Sequence, residues 1–117
     1  MRTCLLAASL VIGVSMFAAC GGDDEDELPD VDCSGSVPAF DDVAALKKCA
    51  TCHSSKLSGG DRKNAPANVN FDTQAAAESH DEKAAEEVNE GAMPPAGSGV
   101  TLTNDEKQVL YTWALCR

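Results

Sequence analysis

The pentapeptide Cys49-Ala50-Thr51-Cys52-His53 constrains this chain more than any other stretch of it. It spells C-x-x-C-H, the attachment sequence of a c-type haem, in which two thiols become thioethers and the adjacent imidazole becomes an iron ligand. Two cysteines three apart, at the end of a helix, reach both vinyl positions on one edge of a porphyrin. The next residue is then delivered under the iron. The motif assigns Cys49 and Cys52 to covalent attachment and His53 to the metal, and leaves the polypeptide to hold and tune the group.

The first 19 residues read as a signal peptide: Arg2 supplies a positive start, and Leu5 to Ala19 are free of charge. That run is too short for a membrane span, which needs about 20 apolar residues. Phe17-Ala18-Ala19-Cys20 resembles a bacterial lipobox, so Cys20 is the expected lipidated residue. The other reading is an ordinary signal cut nearby, which leaves a soluble periplasmic protein. Residues 20–32 follow as an acidic tether holding Asp23, Asp24, Glu25, Asp26, Glu27, Asp30 and Asp32 without one basic residue. Such a segment cannot bury enough apolar surface to fold.

Six cysteines can then be accounted for. Cys4 leaves with the signal, Cys20 takes lipid, and Cys49 and Cys52 take haem. Cys33 and Cys116 remain, one at each end of the mature domain, and an exported protein favours joining them as a disulfide. The domain 33–117 carries 12 acidic and 8 basic residues, net −4 within a chain of net −10. That balance excludes a nucleic-acid binder, which needs a basic face. Phe40, Phe71, Tyr111 and Trp113 are the domain's aromatics, a thin core for about 85 residues that a buried porphyrin would complete.

The pattern is helical throughout. A first helix follows Pro38, with Asp41 and Asp42 at its positive end and Phe40, Val43, Ala44 and Leu46 on one face running into Cys49. Ser58-Gly59-Gly60-Asp61 opens a polar loop. Asp72 starts a short helical stretch. Ser79-His80-Asp81-Glu82 reads as a capping box for a helix that Gly91 ends. Thr103-Asn104-Asp105-Glu106 is a second box, and it opens a helix with Val109, Trp113 and Cys116 on its inward stripe. No alternating strand pattern occurs.

A second iron ligand separates electron transfer from ligand activation. Met93, between Gly91 and Pro94-Pro95, is the leading candidate, because prolines stiffen a loop that can hold a thioether on iron. His80 is the lesser candidate, and an open or water-filled site is the third reading. His53 is expected to donate its other ring nitrogen to a backbone carbonyl, with Pro66 as a source. Arg62 and Lys63 are candidates to pair with haem propionates, and Trp113 or Tyr111 to hydrogen-bond them, though Trp113 is expected mainly to pack.

The Cys-x-x-Cys-His motif, Gly91-Ala92-Met93-Pro94-Pro95 and Leu102-Thr103…Glu106…Leu110…Trp113 together resemble a small class I cytochrome c domain of the M-P-P type, over roughly Val37 to Leu115. The resemblance implies an all-α fold in which the first and last helices cross near one edge of a single covalent haem c. Cys49, Cys52, His53 and Met93 are the residues it carries over. It also implies a monohaem electron carrier rather than an enzyme, and the export signal with Cys20 would place that carrier facing the periplasm, anchored to a membrane by lipid. The acidic domain suits redox partner proteins with basic patches. The 39 residues between His53 and Met93 are few for such a domain, which implies a more exposed haem edge. Cys33 and Cys116 lie outside the family pattern.

Three further readings remain. One is a haem-based gas or peroxide enzyme or sensor with an open iron site. Another is a haem subunit of a larger oxidoreductase. In a third, without haem, Cys49 and Cys52 form a zinc half-site or a redox dithiol. For zinc only His53 and His80 remain as additional ligands, and the dithiol reading lacks a βαβ pattern.

Overall fold

The structure, a computed structural model, describes residues 28–117. The segment 1–19 that reads as a signal peptide with Cys4, the expected lipidation site Cys20 and the acidic stretch as far as residue 27 all lie outside the described residues. Four α-helices account for the regular structure there, with no strand: α1 Ala44–Cys49, α2 Gln74–Glu78, α3 Asp81–Asn89 and α4 Asn104–Leu115. Short 3-10 turns at Phe40–Asp42 and Gly59–Arg62 complete it. No helix among the described residues is long and apolar enough to cross a membrane.

Helix α4 is the hub, packing against both α1 and α3. Its start is set by the expected capping box. The Glu106 amide donates to Thr103 Oγ1 at 3.2 Å, and the Thr103 amide donates to Glu106 Oε2 at 2.8 Å. Its buried face is Leu110, Tyr111, Trp113 and Ala114. Trp113 is 1 % exposed and meets the Phe40 ring at 6.4 Å between centroids. Val109, expected on the inward stripe, is instead exposed. A helix presents positions i, i+3 and i+4 to one neighbour, and here that set runs from Leu110 through Trp113 to Ala114.

Helix α1 is shorter than its sequence suggests. Phe40 to Asp42 form a separate 3-10 turn, and Val43 is extended before α1 begins. This break changes the phase of the face, so Val43, Ala45 and Leu46 are buried while Ala44 points out. Lys48 then fastens α1 to α4, with Nζ 2.7 Å and 2.8 Å from the two Glu106 carboxylate oxygens and 3.0 Å from the Thr101 carbonyl.

The box read at Ser79 does not form. Ser79 caps the end of α2, its hydroxyl donating to the Ala76 carbonyl, and His80 becomes the first residue before α3, with no side-chain cap bond. Thr73, not Asp72, caps the start of α2, accepting from the Ala76 amide. Gly91 does end α3, at φ +79°, a backbone setting that a side chain would strain. Ala77 of α2 and Ala84, Ala85 and Val88 of α3 complete the core around Phe71.

The two ends of the domain meet. Arg117 pairs with Glu78 at 2.7 Å and with Asp81, while its guanidinium lies 4.3 Å from the centre of the Trp113 ring. Cys33 and Cys116 stand at disulfide distance, with Cα atoms 5.3 Å apart across a sequence separation of 83. A cross-link over so long a loop contributes about 4 to 5 kcal/mol in the chain-entropy account. Replacing both cysteines by serine should therefore lower the guanidinium midpoint, by that free energy divided by the denaturant slope, while leaving the helical circular-dichroism signal intact. An unchanged midpoint would show that the bridge is not formed or contributes nothing.

Candidate functional site

Helix α1 ends at Cys49, but the chain goes on winding for one more turn. The Thr51 amide donates to the Lys48 carbonyl at 3.2 Å, and the Cys52 and His53 amides to the Cys49 carbonyl at 3.2 and 2.9 Å. This turn keeps Cys49, Cys52 and His53 within a single loop of backbone. Both thiols are half-buried and free of any disulfide. Burial pushes the Cys49 thiol up to about 11, so it is neutral at physiological pH.

His53 is held from three directions. Its amide is tied to Cys49, and its carbonyl accepts from the Phe71 amide at 2.8 Å. Its ring nitrogen Nδ1 lies 3.2 Å from the Val69 carbonyl. A carbonyl can only accept, so the proton sits on Nδ1 and Nε2 keeps its lone pair. This is the tautomer in which an imidazole ligates a metal through Nε2. Burial holds the His53 pKa below its ordinary value, and the nearby Arg62 charge acts in the same direction against the Val69 hydrogen bond. The Phe71 ring packs edge-on against His53 at 5.5 Å.

The anchoring carbonyl is thus Val69, not Pro66. The Pro66 carbonyl accepts from Arg62, which is itself buried at 6 % exposure and bonded wholly within this loop. Arg62 is accordingly committed to the loop rather than open to a propionate. Lys63 remains exposed, its Nζ 3.4 Å from the Ser98 carbonyl, and so links the loop after His53 to the loop after Met93. His80 directs Nε2 to the Asn68 carbonyl at 3.0 Å and packs against the far partner of His53, the Phe71 ring, at 6.4 Å. Tyr111 and Trp113 are both core residues.

Met93 is placed by α3. Its amide donates to the Glu87 carbonyl at 2.9 Å, and its side chain packs, half-buried, against the core. With Pro94, Pro95 and Leu102 it lines an open cavity of about 480 Å³. Cys49, Cys52 and His53 do not line that cavity. The structure therefore unites Cys49, Cys52 and His53 on one turn, and sets Met93 in a separate loop that Lys63 reaches at the Ser98 carbonyl.

Among the described residues no three His, Cys, Asp or Glu side chains converge as a metal cluster, so a zinc half-site finds no third ligand there. The donor set suits a porphyrin iron better, because that metal brings four nitrogens of its own and asks the protein for one or two ligands.

Sequence reasoning missed Val69, Phe71, Asp72 and Ser55. Val69 acts through its backbone, which leaves no side-chain signature. Asp72 works at a distance in sequence: its carboxylate accepts the Ser55 amide at 3.1 Å and the Ser55 hydroxyl at 2.7 Å, pinning the chain just after His53. No family model, curated protein or solved structure matches this chain.

The Ser55 hydroxyl, then its amide, hold the Asp72 carboxyl down to about 2. Because this lies below the unfolded value of about 3.9, the stability that Asp72 adds is present above about pH 4 and is lost as pH falls toward 2. Asp72→Asn should therefore lower stability at neutral pH and flatten the acid limb of a denaturation profile between about pH 4 and 2. A variant profile superimposed on the wild type would show that the Ser55 clamp carries no weight.

Proposed function

We propose that the chain is a monohaem c-type electron carrier with a small class I cytochrome c-like fold. In this reading Cys49 and Cys52 hold one haem c through thioethers, and His53 is its proximal ligand. The observation that carries it is the His53 tautomer: Nδ1–H is committed to Val69 while Nε2 is free, one residue past two unpaired thiols on a wound turn. A carrier fixed by Cys20 to a bacterial membrane and facing the periplasm fits the amino-terminal sequence.

When bound, the haem supplies a one-electron Fe(III)/Fe(II) couple. The chain's own residues do the rest. Val69 fixes the imidazole plane and its proton. Asp72 and Ser55 keep the segment after His53 from moving, which lowers the rearrangement that accompanies a change of charge. Phe71 packs edge-on against the imidazole and limits its rotation. Met93 would be the second residue to hold the iron in this reading, supported by its half-burial, by the amide bond to Glu87 and by the adjacent prolines that stiffen its loop. A thioether favours the ferrous iron and raises the potential.

One observation favours a second reading, in which the iron is open to gases or peroxide: the cavity that Met93 lines does not extend to His53. Two measurements decide. Protein made in a host that matures c-type haem should give the haemochrome spectrum of a c-type haem in alkaline pyridine, and a colourless product would refute the reading. Met93→Ala should keep its haem, lose the six-coordinate low-spin ferrous spectrum and gain tight carbon monoxide binding. A wild type that already binds carbon monoxide avidly, and a variant spectrum identical to it, would assign the protein to the open-site class.

A further inference from the structure

Arg62 ends the 3-10 turn nine residues past His53 and is buried, whereas its neighbour Lys63 is exposed. Its guanidinium has five N–H donors, and the structure gives each an acceptor. Nε meets the Ala65 carbonyl at 3.1 Å, and Nη1 meets Asn70 Oδ1 at 3.0 Å and the Ser54 carbonyl. Nη2 meets the Val69 carbonyl at 3.0 Å and the Pro66 carbonyl. All five are neutral. A guanidinium keeps its proton in any protein, and a buried charge is ordinarily met by an opposite one. Here no carboxylate is among the partners, and none of the ion pairs of the described residues includes Arg62.

A brace for a loop can be made from neutral donors, so the uncompensated charge calls for its own account. The position of Val69 supplies one. Its carbonyl oxygen accepts both from Arg62 Nη2 at 3.0 Å and from His53 Nδ1 at 3.2 Å. We infer that Arg62 is a positioning residue for His53, which fixes the carbonyl that orients the imidazole and biases an iron held there toward the ferrous state. The inference rests on the function proposed above.

Two effects act in the same direction. A carbonyl shared between two donors pulls less on each, so the His53 proton stays on the ring and the imidazole gives less electron density to a metal at Nε2. A fixed positive charge one carbonyl away also opposes the extra positive charge of Fe(III). In the reaction concerned, one electron passes from a reduced redox partner protein to the ferric iron, and no bond of the chain is made or broken.

The test uses the mature protein with its covalent haem and reads the midpoint potential in a spectroelectrochemical titration. Arg62→Met removes the charge and the fork while keeping an apolar stem. It should shift the couple toward Fe(III) by roughly tenfold, ~59 mV for one electron. Arg62→Lys keeps the charge and should shift it clearly less. Should the methionine variant not accumulate, Asn70→Asp places a carboxylate against Nη1 and neutralises the guanidinium where it stands, and the same direction is expected. A coloured wild type with an unmoved potential in Arg62→Met or Asn70→Asp overturns this inference alone, as does a lysine variant that falls as far as the methionine one. A colourless wild type overturns the haem reading and this inference with it.

Discussion

The hydrogen bond between His53 Nδ1 and the Val69 carbonyl sets the orientation of the imidazole where two stretches of chain meet. On one side is the wound turn that follows α1 and brings Cys49, Cys52 and His53 together. On the other is an irregular segment whose backbone has few internal partners. The second stretch is kept in place by three devices acting within a few residues: the Phe71 amide on the His53 carbonyl, the Asp72 carboxylate on Ser55, and the five donors of Arg62. Remove that frame and the imidazole is free to turn over or change tautomer. Keep it, and one nitrogen is presented with its lone pair available.

Behind this frame the protein is small and lightly built. Helix α4 carries the buried Trp113, Tyr111 and Leu110, and α1 and α3 meet it mainly with alanines and a few aliphatics. Ionic latches assist at both ends of α4, Lys48 with Glu106 at its start and Arg117 with Glu78 and Asp81 near its finish. Exposed pairs of this kind add little singly. Glu106 is more than a surface pair, because the same carboxylate closes the capping box. The Cys33–Cys116 link supplements a core that packing alone leaves thin.

Much of the outline could be read in the residues, and the limits of that reading have physical causes. The helical class, the end of α1 at Cys49, the Thr103 box and the stop at Gly91 all depend on local chemistry, which sequence displays. The Cys33–Cys116 pairing came from counting. The helix faces were harder. A 3-10 turn before α1 rotated its buried face by one residue, from Ala44 to Ala45, and tertiary packing chose Leu110 over Val109. At Ser79 the box pattern was present, but the serine was taken up by the end of the preceding helix. The site divides in the same way. That Cys49, Cys52 and His53 share one turn was legible, whereas the carbonyl of Val69 was not, since any residue could provide it. Arg62 was read as a candidate partner for propionates because charge normally seeks an opposite charge, and only the fold shows a loop with enough inward carbonyls to hold it.

The measurement that bears most directly on the account is a peptide mass spectrum of the mature protein after denaturation and proteolysis. The fragment spanning Cys49 to Lys56 should retain a porphyrin bound through two sulfurs and carry no alkylatable thiol. Recovery of that fragment at its bare amino-acid mass, with both cysteines open to alkylation, would contradict the central claim.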